Sequence, residues 1–536
     1  METSKILENK TYLYLTEFFA GMAVMAAELG ASRLLAPYFS SSQIVWTIII
    51  GTIMISLALG HVYGGRKADK DPNPDRIYRR ILFASVWLAA IPLLGKFIIV
   101  GISGALVLTV SSGFLVLASL LSCLILFVYP LFLLGTVTPA LVKITASSLE
   151  DTGRTVGNLG AFNTIGSILG TFLPTFVTIP TVGTAVTFLL FSGVLLLLGM
   201  IYFFSVKRRI GQTVVALILF VLFSLFGCTS RFAFWEESLA YEGESIYNYL
   251  QVKETDNRVI LSTNVLFGVQ SVAMKDGGMT GMYYDYALVS TLMTGMPQDP
   301  EKDVLILGMG SGTFATLCQE IYPQSRIDGV EIDAKITNLA RTYFSMPEEV
   351  HVTTYDGRAY LAAEPKQYDL ILVDAYQDIT IPFQMSTVEF FTLVREHLKE
   401  GGILVVNMNL HAGEEGSINQ YLSDTVESVF PDSVYVCNVP GSSNRELFAG
   451  KGVDPMEALK AHLSDPVMDP GLLRSAQYVW ENLFFYGGGD YLLTDDRAPV
   501  EVLGMDAIDA MIQEEVGRYK EILDEEGFSG LLDAIG

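Results

Sequence analysis

The sequence predicts two architectures in one chain: a multi-pass α-helical membrane domain, then an α/β Rossmann-like doubly wound sheet preceded by a small β-domain. Three observations carry this. Long apolar runs fill the first 230 residues and are absent from the remainder. The charge changes sign at the same place: residues 1–230 hold 15 Lys and Arg against 9 Asp and Glu, and the rest hold 19 against 49, within a net charge of −24. Beyond residue 296, strand-like and helix-like patterns alternate, as they do in a parallel sheet with crossover helices. The expected boundaries are 1–230 for the membrane domain (six or seven spans), 231–295 for the β-hairpin domain, 296–450 for the nucleoside-binding sheet and 451–536 for a helical extension.

Within the first domain, spans are expected near residues 12–34, 43–63, 80–102, 113–136, 158–179, 184–205 and 213–229. No small-residue cleavage site follows the first, so it reads as a span and not a signal peptide. The last, "TVVALILFVLFSLFGC", has 16 residues where a direct crossing takes about 20. "GGRKADKDPNPDRIYRR", the loop with Lys143 and Arg154, and "VKRR" alternate with short loops free of Lys and Arg. The positive-inside rule therefore puts the N-terminus and these loops in the cytoplasm. Seven crossings then place the following domain outside, and six place it inside. Ionisable groups within a span are functional candidates. Glu17 and Glu28, about three helical turns apart, share a face of the first span, with Arg33 near its end. A salt bridge or snorkelling pair that holds the bundle ranks ahead of a proton or substrate pathway. Asn158 and Asn163, among small residues, read as helix-packing positions.

From Asn248 the pattern alternates with period two, and a turn at Thr255–Asn257 marks a hairpin. "VLILGMGSGTFATLCQEIY" then offers a continuous apolar strand, a glycine turn and a helix. Gly308, Gly310 and Gly312 let the backbone approach a ligand, and Glu331, ending the next strand, can accept from two ribose hydroxyls. The spacing is GxGxG and not GxGxxG, so a nucleoside without phosphates fits better than a dinucleotide. Asp356 ends the third strand, where a carboxylate can accept from an adenine amino group, and Gly357 permits close approach. Asp374 ends the fourth, in "LILVDAYQDITIP". Each of these could be an ordinary helix cap, but recurrence at successive strand ends, where open α/β sheets bind ligands, points to a site.

The acidic second half excludes nucleic acid, whose phosphates need a basic face. The four cysteines are scattered, without metal-ligand spacing or a disulfide framework, and read as structural; no metal site is expected.

These residues resemble the spermidine synthase (polyamine aminopropyltransferase) family, on "VLILGMGSG", "GVEID", "YDG" and "YDLILVDAYQDITIP". The first half resembles the fused multi-pass form of that family, on "AELGASRLLAPYF", "GHVYGGRKAD" and "TIGSILGTFLPTFVTIP", with "LLTDDRAPVE" near the C-terminus. The resemblance implies a methyltransferase-type fold and transfer of an aminopropyl group from decarboxylated S-adenosylmethionine to putrescine, leaving methylthioadenosine, with no tightly bound cofactor. It implies that Glu331 holds the ribose, Asp356 and Gly357 the adenine, and Pro382 the nucleoside, with Asn248 and Gln270 beside the donor. Asp374 would deprotonate the attacking amine, and the loop through Asp378 to Pro382 would close over the ligand. Tyr284, Asp285, Ser311 and Asp378 fall at the acceptor positions. Here the chain departs from the pattern: Ser311 stands for an aspartate, Tyr283-Tyr284-Asp285 for Tyr-His-Glu, and Asn248 for a glutamine.

Three functions follow as alternatives. The first is aminopropyl transfer to an amine. The second is methyl transfer from, or cleavage of, S-adenosylmethionine on the same fold. The third is a nucleoside-binding transporter or sensor without catalysis. The expected partners are a nucleoside donor, an amine acceptor, the lipid bilayer and a second copy in a homodimer. The expected location is the cell membrane, with substrate supply favouring a cytoplasmic catalytic domain.

Overall fold

The structure, a computed structural model, describes residues 5–39, 42–107, 113–146, 151–229, 231–236, 238–265, 270–376, 381–409, 415–465 and 469–505, with residues 507, 517, 521, 522 and 525 beyond them. Two compact units emerge: Met1–Glu237 with Gly243–Tyr249, and Ser238–Glu242 with Leu250–Gly536.

The first unit is helical. Among the described residues, six helices are long and apolar enough to cross a bilayer: Lys10–Phe39, Gln43–Lys70, Pro74–Leu106, Phe114–Thr145, Thr152–Val206 and Ile210–Gly227. The fifth runs 55 residues, about 80 Å at 1.5 Å per residue, against a hydrocarbon core of about 30 Å. It therefore holds length for two crossings, and it breaks at Gly183, whose φ of +80° and ψ of 170° leave the helical region. The Glu244 carboxylate accepts from the Thr184 amide (2.8 Å) and hydroxyl (2.6 Å), capping the helix that restarts there.

Helix Lys10–Phe39 packs most extensively on Thr152–Leu173. Gly166 and Gly170 allow this approach: a Cβ on either would meet the Phe18 or Met22 carbonyl oxygen at 1.9 and 2.2 Å. Glu17 is fully buried at this contact. Its Oε1 accepts from Thr138 Oγ1 (2.5 Å) and Asn163 Nδ2 (2.8 Å), so hydrogen bonds hold it where an ion pair was expected. Asn163 packs as predicted, while Asn158 is exposed.

The second unit contains the larger sheet and most of the smaller one. Strands β1 (Leu239–Glu244), β2 (Tyr249–Glu254), β3 (Arg258–Ser262) and β4 (Ser271–Met274) form a meander in chain order. The larger sheet holds β5 (Asp303–Leu307), β6 (Arg326–Glu331), β7 (His351–Thr354), β8 (Tyr368–Val373), β9 (Leu398–Met408), β10 (Val434–Asn438), β11 (Arg445–Gly450) and β12 (Phe484–Phe485). Its order is β12-β10-β11-β9-β8-β5-β6-β7. β5 to β9 run parallel, and β11, β10 and β12 add antiparallel strands beyond β9. Val304–Leu307, Leu370–Val373 and Ile403–Val406 are all buried, which explains why these strands read as unbroken apolar runs: helices cover both faces of a parallel sheet. Strand order reverses between β5 and β8, and such a reversal opens a crevice at the carboxyl ends of the strands.

Candidate active site

Register lines the polar residues up along that crevice. Leu307 pairs with Val330 on one side and Val373 on the other, and Val373 pairs with Val406. The next residue of each strand therefore falls in one row: Glu331, Gly308, Asp374 and Asn407. The row continues across β9 to Glu446 of β11, which pairs with Asn407.

Gly308, Gly310 and Gly312 all have positive φ, and a Cβ on Gly308 would meet the Asp374 carbonyl oxygen at 2.4 Å. Only glycine permits this turn. Glu331 is buried, its Oε2 accepting from the Gly310 amide (3.1 Å) and its Oε1 from the Asp333 amide (3.0 Å). Burial pushes its carboxyl up to about 7, against the lowering effect of those amides. Each oxygen retains a second lone pair for a ligand hydroxyl.

Asp374 is partly buried. Its Oδ1 accepts from Asn407 Nδ2 (2.8 Å) and its Oδ2 from the Tyr283 hydroxyl (2.7 Å). Burial raises it to about 6, while these two donors lower it. The Tyr284 ring packs tilted against that of Tyr283, with centroids 4.0 Å apart, and its hydroxyl donates to the Gln270 carbonyl at 3.2 Å. The Gln270 side chain accepts from Thr263. Tyr376 donates to the Asn407 carbonyl and accepts from the Asn409 amide, tying the residues just after Asp374 to the end of β9.

Asp356 caps the helix Gly357–Ala363, accepting from the Ala359 amide at 2.8 Å. A Cβ on Gly357 would touch Met385 at 3.1 Å. Pro382 precedes a short 3-10 turn, Phe383–Met385. Arg358 joins these pieces: its guanidinium forms a bidentate pair with Asp495 (2.7 and 2.6 Å) and donates to the Gln384 carbonyl. Thr387 donates to Asp495 as well. The "TDDR" stretch therefore clamps the helix after Asp356 to the turn after Pro382.

The positions predicted for the acceptor are engaged locally. Asp285 accepts from the Thr280 amide and hydroxyl and the Gly281 amide. The Ser311 hydroxyl pairs with that of Thr313 at 2.7 Å. Asn248, predicted beside the donor, belongs to the first compact unit, and its backbone bonds Ser245. Asp378 lies outside the described residues. Tyr283 and Asn407, the two groups that hold Asp374, are absent from the predicted site. Asn407 stands in "VVNMN" at a strand end, the same placement that singled out Asp374, and a carboxyl-end survey extended to β9 would have found it.

Chemically, this row supplies acceptors for a neutral polyol at Glu331, close backbone access at Gly308 and an oriented base at Asp374. Among the described residues no cluster of His, Cys, Asp and Glu is arranged to hold a metal.

A family model described as "Spermine/spermidine synthase domain" matches residues 287–449. A probable polyamine aminopropyl transferase of Bifidobacterium longum (strain NCC 2705) is 51% identical over 354 residues, 63% of this chain and 78% of that protein. A polyamine aminopropyltransferase of Vibrio vulnificus (strain CMCP6) is 29% identical over 237 residues, 42% of this chain and 77% of that one. Among solved structures, a probable spermidine synthase from Corynebacterium glutamicum ATCC 13032 is 23% identical with a TM-score of 0.36, covering 42% of this chain and 86% of that chain.

Proposed function

The chain belongs to the spermine/spermidine synthase family of polyamine aminopropyltransferases, and on that premise we propose that it transfers the aminopropyl group of decarboxylated S-adenosylmethionine to an amine, releasing methylthioadenosine. The observation that carries this is the row itself: Glu331 and Asp374 stand at the carboxyl ends of strands flanking β5, with Gly308 between them.

The nucleoside would lie over the glycine turn with its ribose on Glu331 and its adenine toward Asp356, Gly357 and Pro382. The sulfonium is already an activated leaving group, so the protein's task is to place an amine in line and keep it unprotonated. The amine nitrogen attacks the aminopropyl carbon bonded to sulfur. The C–S bond breaks, its electron pair passes to sulfur, and neutral methylthioadenosine departs. The proton from nitrogen goes to Asp374, a general base held by Asn407 and Tyr283. A group near 6 is ionised at neutral pH and can take that role. The six apolar helices support membrane anchoring, and the cytosolic origin of adenosyl sulfur compounds supports a cytoplasmic catalytic unit.

The test uses the full-length chain in detergent or nanodiscs, with S-adenosylmethionine or its decarboxylated form, with and without amines, and products identified by mass. Methylthioadenosine formed only from the decarboxylated donor plus an amine is the expected result. Methylthioadenosine from S-adenosylmethionine alone, S-adenosylhomocysteine, or no turnover under any condition overturns it.

A further inference from the structure

The basic connection "GGRKADKDPNPDRIYRR" lies in the first compact unit. It runs from the end of helix Gln43–Lys70 into helix Pro74–Val107, and with Ala140 it lines a recess of about 260 Å³, partly open to solvent. Three cations, Lys67, Arg76 and Arg80, line the recess against one carboxylate, Asp71. A Cβ on Gly64 would meet the Thr136 Cα at 2.7 Å, so the wall behind the recess is close-packed. The three carboxylates of the connection are each engaged. Asp69 pairs with Lys143 at 3.1 Å and Asp71 with Arg76 Nη2 at 2.6 Å. Asp75 accepts from the Tyr202 hydroxyl at 2.6 Å, with Arg208 3.7 Å away. Arg80 rests over the Tyr63 ring, 5.3 Å from its centroid. The Arg76 Nη1 is buried and has no hydrogen-bond partner among the described residues. A buried guanidinium donor left unmatched is costly, and the planar fork of arginine suits a phosphate.

We propose that this recess binds the phosphate of an anionic phospholipid headgroup. The site rests on the membrane-anchoring part of the reading above and adds a ligand to the helical unit. What favours a lipid over a free phosphate is the surface leading to the recess. Ile55, Leu59 and Tyr63 are exposed on helix Gln43–Lys70. With Lys67 they recur at every fourth residue, so all four share one stripe. At 1.5 Å per residue the stripe runs about 18 Å. That is roughly half of the hydrocarbon core of about 30 Å, the depth of one leaflet. Acyl chains would lie along Ile55 and Leu59, and Tyr63 would sit at the interface, where tyrosine is enriched. The phosphate would then reach Lys67, Arg76 and Arg80. Basic recesses between apolar helices at a membrane face suit such headgroups. A phosphate oxygen would give Arg76 Nη1 the acceptor it lacks, and the negative charge would offset the surplus of cations.

The test is native mass spectrometry of the full-length chain in a maltoside detergent, with dioctanoylphosphatidylglycerol, dioctanoylphosphatidylcholine and glycerol phosphate as probes. Wild type is expected to bind the phosphatidylglycerol about tenfold more tightly than the phosphatidylcholine, the scale of a hydrogen bond to a charged group. Glycerol phosphate, which has no acyl chains, is expected to show no comparable affinity. R76Q is expected to erase most of the preference. It also breaks the pair with Asp71, so the double variant K67Q/R80Q is measured beside it and should lose the preference while melting near the wild-type temperature. Equal binding of the two lipids by wild type overturns the proposal, as does an unchanged preference in either variant. Glycerol phosphate bound as tightly as the phosphatidylglycerol overturns the lipid assignment and gives the recess to a soluble phosphate. Alkaline carbonate extraction of membranes separates this from the parent reading. A chain released into the supernatant refutes the anchoring and the lipid site with it. A chain retained in the membrane but without lipid preference refutes the site alone.

Discussion

Asp374 shows how a single residue acquires a role from its surroundings. An exposed aspartate would be a weak base and would bind water. Here burial raises it to about 6, and the Tyr283 hydroxyl and Asn407 amide fix its orientation. Only the ionised form accepts a proton, so kcat/KM should rise with pH on an acid limb with a midpoint near 6, as a pH–rate profile with excess amine would read. D374N should lower kcat by about 10²–10⁴-fold while nucleoside affinity, measured by calorimetry, stays close to wild type. Glu331 gives a second pH signature. Its folded value, about 7, lies above the ordinary carboxylate range, so the ligand-free protein loses stability as pH rises from that range toward 7. Ribose hydroxyls donate to the ionised form and favour it, so methylthioadenosine affinity should increase as pH passes upward through about 7 and then level off. E331Q should flatten that dependence. An affinity that instead falls with pH contradicts the ribose assignment.

At the scale of elements, two joints matter. The first is the Arg358–Asp495 clamp between the helix Gly357–Ala363 and the turn after Pro382. Both side chains are partly exposed, so the pair contributes less than about 1 kcal/mol to stability. Its value is positional: it holds together two segments assigned to the nucleoside. D495N should raise the KM for the donor by up to about fivefold with the melting temperature nearly unchanged. A melting-temperature drop with an unaltered KM would make the clamp purely structural. The second joint is the close contact of Lys10–Phe39 with Thr152–Leu173. G170L places atoms where the Met22 carbonyl oxygen already sits, and overpacking of this kind costs about 1–3 kcal/mol. Thermal unfolding followed by size-exclusion chromatography should show a lowered midpoint, and an unchanged one would mean that the helices meet differently.

For the whole molecule, the proposed membrane anchoring by the six apolar helices makes the side on which the sheet resides a measurable quantity. Cys228 is the one exposed cysteine of the four, at the end of the last apolar helix, and Glu349 is exposed on the second unit. With a cytoplasmic catalytic unit, a membrane-impermeant maleimide should leave Cys228, or E349C in a C228S background, unlabelled in intact cells and label it after permeabilisation. Labelling of intact cells would place the sheet outside and remove the supply argument.

Much of this was legible in the sequence because its causes are local. The apolar runs, the change of charge at residue 230 and the alternation of strand and helix depend on composition and period alone, and they determined the two-part architecture. Gly308, Glu331 and Asp374 were legible because strand ends carry their own signal, an apolar run stopping at a glycine or carboxylate. What only the tertiary structure decided is which strands lie side by side. β9 and β11 are adjacent through an antiparallel return that no residue pattern announces. The parallel β8–β9 pairing puts Asn407 against Asp374, and the β9–β11 adjacency puts Glu446, without a hydrogen bond among the described residues, one strand farther along. Asp285, a carboxylate predicted for the acceptor, has its oxygens engaged by a turn formed five residues before it in the chain. Side-chain identity is written in the chain, but whether a carboxylate is satisfied depends on neighbours brought from far away in sequence, and only folding supplies them.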